Sequence, residues 1–188
     1  KEIQKKENRI LIKPYDDYDI IAGQGTAGYE ISQDLANLSI TPDIYLCCCG
    51  GGGLIAGTST YLKYKYPNIK SFAVEPYGFE DTKISLINKK IISNKPGFSS
   101  ICDAIITPQP GQLTFPINIK TLSGGIVVED DEVKNSIKIL AEHLKIVAEP
   151  GGAVAATAAL TKKIELKNKT VVVMISGGNI DLEVFRSL

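Results

Sequence analysis

Histidine is almost missing from this 188-residue chain, and neither sign of charge predominates: one His, 21 Lys plus Arg and 21 Asp plus Glu leave a formal net charge of zero. That balance removes the electrostatic footprint which binding to nucleic acid or to an anionic membrane surface requires. The single His143 falls at the end of a predicted helix and reads as a partner for the helix dipole rather than as a catalyst. No apolar run approaches the roughly 18 residues that span a bilayer, so no membrane partner is expected. The charged start KEIQKKENR leads into no long apolar stretch, so no signal peptide is expected either. Cysteine is scarce and oddly placed. Three of the four, Cys47, Cys48 and Cys49, are adjacent on a predicted buried strand, which suits neither a disulfide nor the spacing of a zinc site. Reduced, core-facing thiols in a cytoplasmic protein are the expectation.

What is present reads as alternating strands and helices. With 44% hydrophobic residues the chain can bury one sizeable core, and nothing in it signals a second domain. Short apolar runs at 9–13, 43–49, 71–75, 125–128 and 170–175 are bounded by turn residues, as buried parallel strands should be. Between 130 and 145, Val133, Ile137, Leu140 and Leu144 recur at helical spacing, with Asp130, Asp131 and Glu132 at the start and His143 and Lys145 at the end. Ala27, Ile31, Leu35 and Leu38 line one face of an earlier helix. The pattern predicts an α/β fold, a three-layer sandwich with a mostly parallel sheet and ligands at the carboxyl ends of its strands. Residues 88–100 read as an irregular, exposed excursion.

The most informative stretch is Gly50, Gly51, Gly52 and Gly53, entered from the apolar segment 44–46 and followed by the helical LIAGTSTYLKYKY from Leu54. A strand feeding such a loop aims backbone amides and the positive end of a helix dipole at an anion, phosphate above all. The loop matches neither common nucleotide fingerprint, because no Lys-Ser/Thr pair follows and its glycines are contiguous.

The loop stands in a series of five further motifs. Ile20-Ile21-Ala22-Gly23-Gln24-Gly25-Thr26 precedes it; Val74-Glu75-Pro76, Pro110-Gly111-Gln112-Leu113-Thr114-Phe115-Pro116, the segment 145–153 around Glu149-Pro150-Gly151-Gly152, and Ser176-Gly177-Gly178-Asn179 follow. In this order the chain resembles the serine/threonine dehydratase and serine racemase family of pyridoxal-phosphate enzymes, of the tryptophan-synthase-β fold (fold type II). The resemblance covers essentially the whole chain.

The resemblance implies a large-domain portion of that fold, with Gly50, Gly51, Gly52, Gly53 and Leu54 cradling the cofactor phosphate. It places Ser176, with Gly177 after it, at the pyridine nitrogen, and Glu149 near the ring. Glu75, the Phe79 carbonyl and Asp81 match the positions at which relatives hold Mg²⁺ or Ca²⁺, oxygen donors suited to a hard cation. Two positions depart from the pattern: Gly151 stands where Ser, Thr or Ala is usual, which is expected to loosen its turn, and Lys13 stands where His is common. The family's Schiff-base lysine, carried in a Ser-Phe-Lys motif, has no counterpart here; Lys70-Ser71-Phe72 has the wrong order. The chain is therefore expected to be the C-terminal part of a dehydratase catalytic domain, inactive by itself. The implied reaction is deamination of a small hydroxy amino acid, threonine or serine, to a 2-oxo acid and ammonia in amino-acid metabolism, by a homo-oligomer. Serine racemisation and hydroxyaspartate dehydration are the alternatives within the family, and a non-catalytic phosphate-binding or oligomer-stabilising module is the alternative outside it.

Overall fold

The computed structural model describes residues 2–188. A short helix α1 (Glu2–Glu7) and a loop lead to the long α2 (Tyr18–Asn37); then follow β1 (Ile44–Cys48), α3 (Gly53–Lys65), β2 (Lys70–Pro76) and α4 (Asp81–Asn88). After an irregular stretch come α5 (Thr114–Thr121), β3 (Leu122–Val128), α6 (Asp130–Ile139), α7 (Pro150–Leu160), β4 (Val171–Val173) and α8 (Leu182–Ser187). The four strands form one sheet in the order β3-β2-β1-β4, every neighbouring pair parallel. The register pairs Leu46 of β1 with Phe72 of β2 on one side and Val173 of β4 on the other.

All five residues of β1 are buried, so both faces of the central strand are covered. Helices α3 and α7 both pack on β1; α3 gathers α2 and α5 about it, and α7 gathers α6. This is the three-layer α/β arrangement that the periodicity predicts. All four cysteines are buried free thiols. Of the excursion expected at 88–100, Asn88 still belongs to α4, and residues 89–100 carry no helix or strand and are mostly exposed.

Three local expectations are corrected. Residues 9–13 form no strand: Ile10, Leu11 and Ile12 are exposed at 87%, 52% and 69%, because no strand among the described residues lies alongside to complete a ladder. The helix through 130–145 stops being α at Ile139 and finishes as a π segment, Leu140–Leu144. The wider turn rotates the last apolar position away from the core, so Leu144 is 60% exposed while Val133, Ile137 and Leu140 are buried. The buried face of α2 consists of Ile21, Gly28, Ser32 and Leu35, with Ala27 and Ile31 half-buried and Leu38 out in solvent. Glycine at 28 is what lets α2 approach: a Cβ there would lie 2.8 Å from the Thr58 carbonyl oxygen of α3.

Candidate functional site

The sheet has one topological switch point. From β1 the chain passes to β2 and β3 on one side, whereas β4 joins on the other, which opens a crevice beyond the carboxyl ends of β1 and β4. The glycine loop leaves β1 there and Ser176 follows β4 there. Strand β4 proper ends at Val173, two residues earlier than its apolar run predicts, although the Met174 amide still donates to the Leu46 carbonyl at 2.9 Å.

The loop's carbonyls are tied from behind. The Gly111 amide (3.2 Å) and the Thr114 hydroxyl (2.6 Å) donate to the Gly51 carbonyl, and the Asn118 amide reaches the Gly52 carbonyl at 3.4 Å. This gives the Pro110–Pro116 motif a structural task. The start of α3 is fixed in turn by a buried relay, Tyr45 hydroxyl to Thr58 hydroxyl (2.9 Å) to Leu54 carbonyl (2.8 Å). The loop's N–H groups are not engaged in this way. Those of Gly50, Gly51, Gly52, Gly53 and Leu54 donate to no acceptor among the described residues, although Gly51, Gly52 and Gly53 are buried. Buried amides without partners are rare and costly. A row of them at the N-terminus of a 13-residue helix is an arrangement that can hold an anion.

Gly52 holds the loop's left-handed turn at φ +87°, where a Cβ would also lie 2.6 Å from the Asn118 side-chain nitrogen. The Tyr15 ring packs directly on Gly51 and its Cα lies 3.0 Å from the Cβ position of Gly53. Tyr15 is held there by its neighbour, since Asp16 Oδ1 accepts the Leu113 amide at 2.7 Å. Lys13 donates to the Asp16 carbonyl at 3.0 Å and so belongs to this same loop.

The turn after β4 interlocks with the segment before α7. The Glu149 amide donates to the Gly177 carbonyl at 3.0 Å, and Glu149 Oε2 accepts the Asn179 amide at 3.0 Å. The Glu149 carboxylate thereby closes the turn that carries Ser176. Gly151 is buried in the first turn of α7, where a Cβ would sit 3.3 Å from the Ala104 methyl. Ser176 is exposed on the rim, and its Oγ lies 3.1 Å from Cys48 Sγ.

Glu75 and Asp81 lie apart from this crevice, around the N-terminus of α4. Glu75 is fully buried at the end of β2, and its two oxygens accept the Thr82 and Lys83 amides at 2.7 and 2.9 Å. It caps α4, a long-range role that sequence spacing does not reveal. Burial, and then the charge of Asp81, push the Glu75 carboxyl well above the usual carboxylate range. Burial likewise raises Asp81 to about 7. Asp81 Oδ1 accepts from Asn94 at 2.5 Å, but its Oδ2 is buried with no partner, as is Glu80 Oε2. The Phe79 carbonyl accepts no hydrogen bond among the described residues. No three His, Cys, Asp or Glu side chains among the described residues gather as a metal cluster, so a cation here would rest on two carboxylates, a carbonyl and water.

An all-parallel α/β sheet with unpaired amides at its switch point is the architecture of proteins that hold a phosphate-bearing cofactor there. The chain belongs to the family described as pyridoxal-phosphate dependent enzymes, whose profile matches residues 1–177. It is 40% identical over 185 residues to a serine racemase of Dictyostelium discoideum, covering 97% of this chain and 56% of that protein. It is 35% identical over 180 residues to an L-threonine ammonia-lyase of Thermotoga maritima, covering 96% and 43%. The crystal structure of a T.th. threonine deaminase superposes with a TM-score of 0.91 at 33% identity, covering 96% of this chain and 66% of that one. The chain spans about half the length of the curated relatives it matches. No helix among the described residues is long and apolar enough to cross a membrane.

Proposed function

We propose that this chain supplies the phosphate cradle and ring-nitrogen partner of a pyridoxal-phosphate-dependent ammonia-lyase, which converts L-threonine or L-serine to a 2-oxo acid and ammonia. On this reading residues 1–188 are the C-terminal portion of the catalytic domain. The observation that carries it is the row of unpaired amides from Gly50 to Leu54, set at the same end of the sheet as Ser176.

The residues present fit the cofactor. A phosphate oxyanion would satisfy the orphaned N–H groups and the dipole of α3. When bound, pyridoxal phosphate supplies an electron-withdrawing ring that eases removal of a substrate's Cα proton. The chain's own residues bind and orient it. The cradle fixes the phosphate, the Tyr15 ring shields the loop from water, Glu149 and Gly177 hold the rim turn, and Ser176 offers a neutral hydroxyl at the ring nitrogen. A hydroxyl does not enforce protonation there as a carboxylate would, which suits loss of a β-hydroxyl better than chemistry through a long-lived carbanion.

The test combines the chain with a segment bearing the cofactor-anchoring lysine and measures 2-oxobutanoate from L-threonine and D-serine from L-serine. Keto acid as the main product supports the reading, while the chain without that segment should give no turnover above the free cofactor's rate. D-serine in excess would make the enzyme a racemase, and phosphate binding with neither product would make the chain a non-catalytic module.

We also propose that Glu75, the Phe79 carbonyl and Asp81 hold Mg²⁺ or Ca²⁺. The free carbonyl and the orphaned Asp81 Oδ2 support it, since a cation compensates buried carboxylates that otherwise lack a counter-charge. Thermal stabilisation by millimolar Mg²⁺ or Ca²⁺ should be lost in Asp81→Asn, which keeps the side chain's shape. It should weaken in Glu75→Ala, measured against that variant's own lower baseline, and persist in Glu80→Ala. Equal loss in Glu80→Ala would show that the ligands are wrongly assigned. A cation response unchanged in all three would leave the loop as a helix entry only.

A further inference from the structure

Ser176 is an exposed hydroxyl just beyond a short edge strand, a setting in which a serine side chain turns freely among its rotamers. One contact prevents that. Cys48, 5% exposed at the end of β1, sets its sulfur 3.1 Å from Ser176 Oγ across the β1/β4 seam. The two residues are 128 positions apart in sequence, and the parallel register that pairs Leu46 with Val173 brings them together. The neighbouring thiols point elsewhere: Cys47 donates to the Cys48 carbonyl, and Cys49 contacts the Thr82 hydroxyl at 3.3 Å. Of the three adjacent cysteines, Cys48 alone contacts Ser176, while Cys49 also reaches the Gly50 carbonyl at 3.6 Å.

We infer that Cys48 is a positioning residue for Ser176: its thiol donates to Ser176 Oγ and thereby commits the serine hydroxyl proton to the ring nitrogen of the bound cofactor. The inference rests on the proposed role of Ser176. Its physical content is directional. A hydroxyl that accepts from sulfur has its own O–H left to donate, and a donor at the pyridine nitrogen favours the unprotonated ring.

The arrangement has a built-in pH limit. The Cys47 thiol lowers the ionisation of Cys48 below the ordinary cysteine range, against burial; the Ser176 hydroxyl lowers it further, and the Glu149 charge opposes. The other titratable groups that act with it are Tyr45 on β1, Cys49 just after that strand and Cys102 from the loop before α5. Once Cys48 ionises, Ser176 must donate to the thiolate, and the ring nitrogen loses its donor.

The probe is pyridoxine 5′-phosphate, which has no aldehyde and so needs no lysine to bind. Its ring absorbance, followed from pH 6 to 9 in the bound state, reports protonation of the nitrogen. In Cys48→Ala, which removes the sulfur without adding bulk, the bound ring should hold its proton to higher pH than in the wild type, and the Kd at pH 7 should rise roughly threefold to tenfold, the worth of one hydrogen bond. Cys48→Ser returns a donor to the same place and should restore both values, while Ser176→Ala should reproduce the Cys48→Ala titration. A shift in Ser176→Ala with none in Cys48→Ala would reduce Cys48 to a packing residue and overturn the inference, leaving the parent reading intact. No effect in Ser176→Ala, or no saturable binding by the wild type, would overturn both.

Discussion

Gly57→Ala is expected to lower stability by about 3 kcal/mol, because the added methyl has nowhere to go in a rigid contact. A Cβ at 57 would run into the Ile21 carbonyl oxygen and lie 2.6 Å from the Gly25 amide nitrogen, both backbone atoms of α2. Backbone cannot swing aside as a side-chain tip does, so α2 and α3 must separate along their whole contact, the most extensive between any two elements. For a domain of this size the change corresponds to a melting temperature lower by about 6–12 °C. Gly23→Ala is the matched comparison on α2, where among the described residues no atom beyond its own helical turn lies within 4 Å of the added Cβ. It removes a helix-weakening glycine from an exposed face and should stabilise by about 0.5–1 kcal/mol. Melting curves of the two variants check both signs. Equal, small effects would mean that the helices are not in the close contact described.

The close contact also explains the second glycine of the Gly-Gln-Gly-Thr motif, which lies inside α2 rather than in a turn. Gly25 and Gly57 face one another, with the Cβ position of Gly25 3.4 Å from the Gly57 carbonyl oxygen. Since α3 begins at the glycine loop, a well-seated α2 fixes the direction in which the loop's amides point.

Much of the site was legible because its signals are local. A strand, four glycines and a helix can be read within 20 residues, and so can Ser-Gly-Gly-Asn after an apolar run. The acidic opening of α6 was equally plain, and the Glu132 side chain does accept the Glu129 amide, at 2.8 Å. What escaped depends on partners distant in sequence. Residues 9–13 have a strand's composition, but a strand exists only beside another. The π segment over Leu140–Leu144, which leaves Leu144 exposed, is contained in no spacing rule. Glu75 reads as a loop carboxylate and proves to cap α4 from the end of β2. Tyr15 covers the glycine loop through the tie of Asp16 to Leu113, and Cys48 meets Ser176 because the sheet sets β4 beside β1.

The central claim is that the amides from Gly50 to Leu54 form a cradle for a cofactor phosphate, and binding of pyridoxine 5′-phosphate against pyridoxine tests it most directly. The wild-type chain should bind the ester saturably at one site and show no comparable affinity for the alcohol, since the phosphate is what the cradle holds. Gly52→Val should abolish ester binding. The branched side chain opposes φ +87° and drives into Asn118, so the loop loses the turn that aligns its N–H groups. Gly97→Val controls for the general cost of a left-handed residue, because Gly97 adopts φ +98° with no atom within 4 Å of its Cβ position. That variant should lose some stability and keep its affinity for the ester. The cradle is contradicted if ester and alcohol bind equally, or if Gly52→Val binds the ester as tightly as the wild type does.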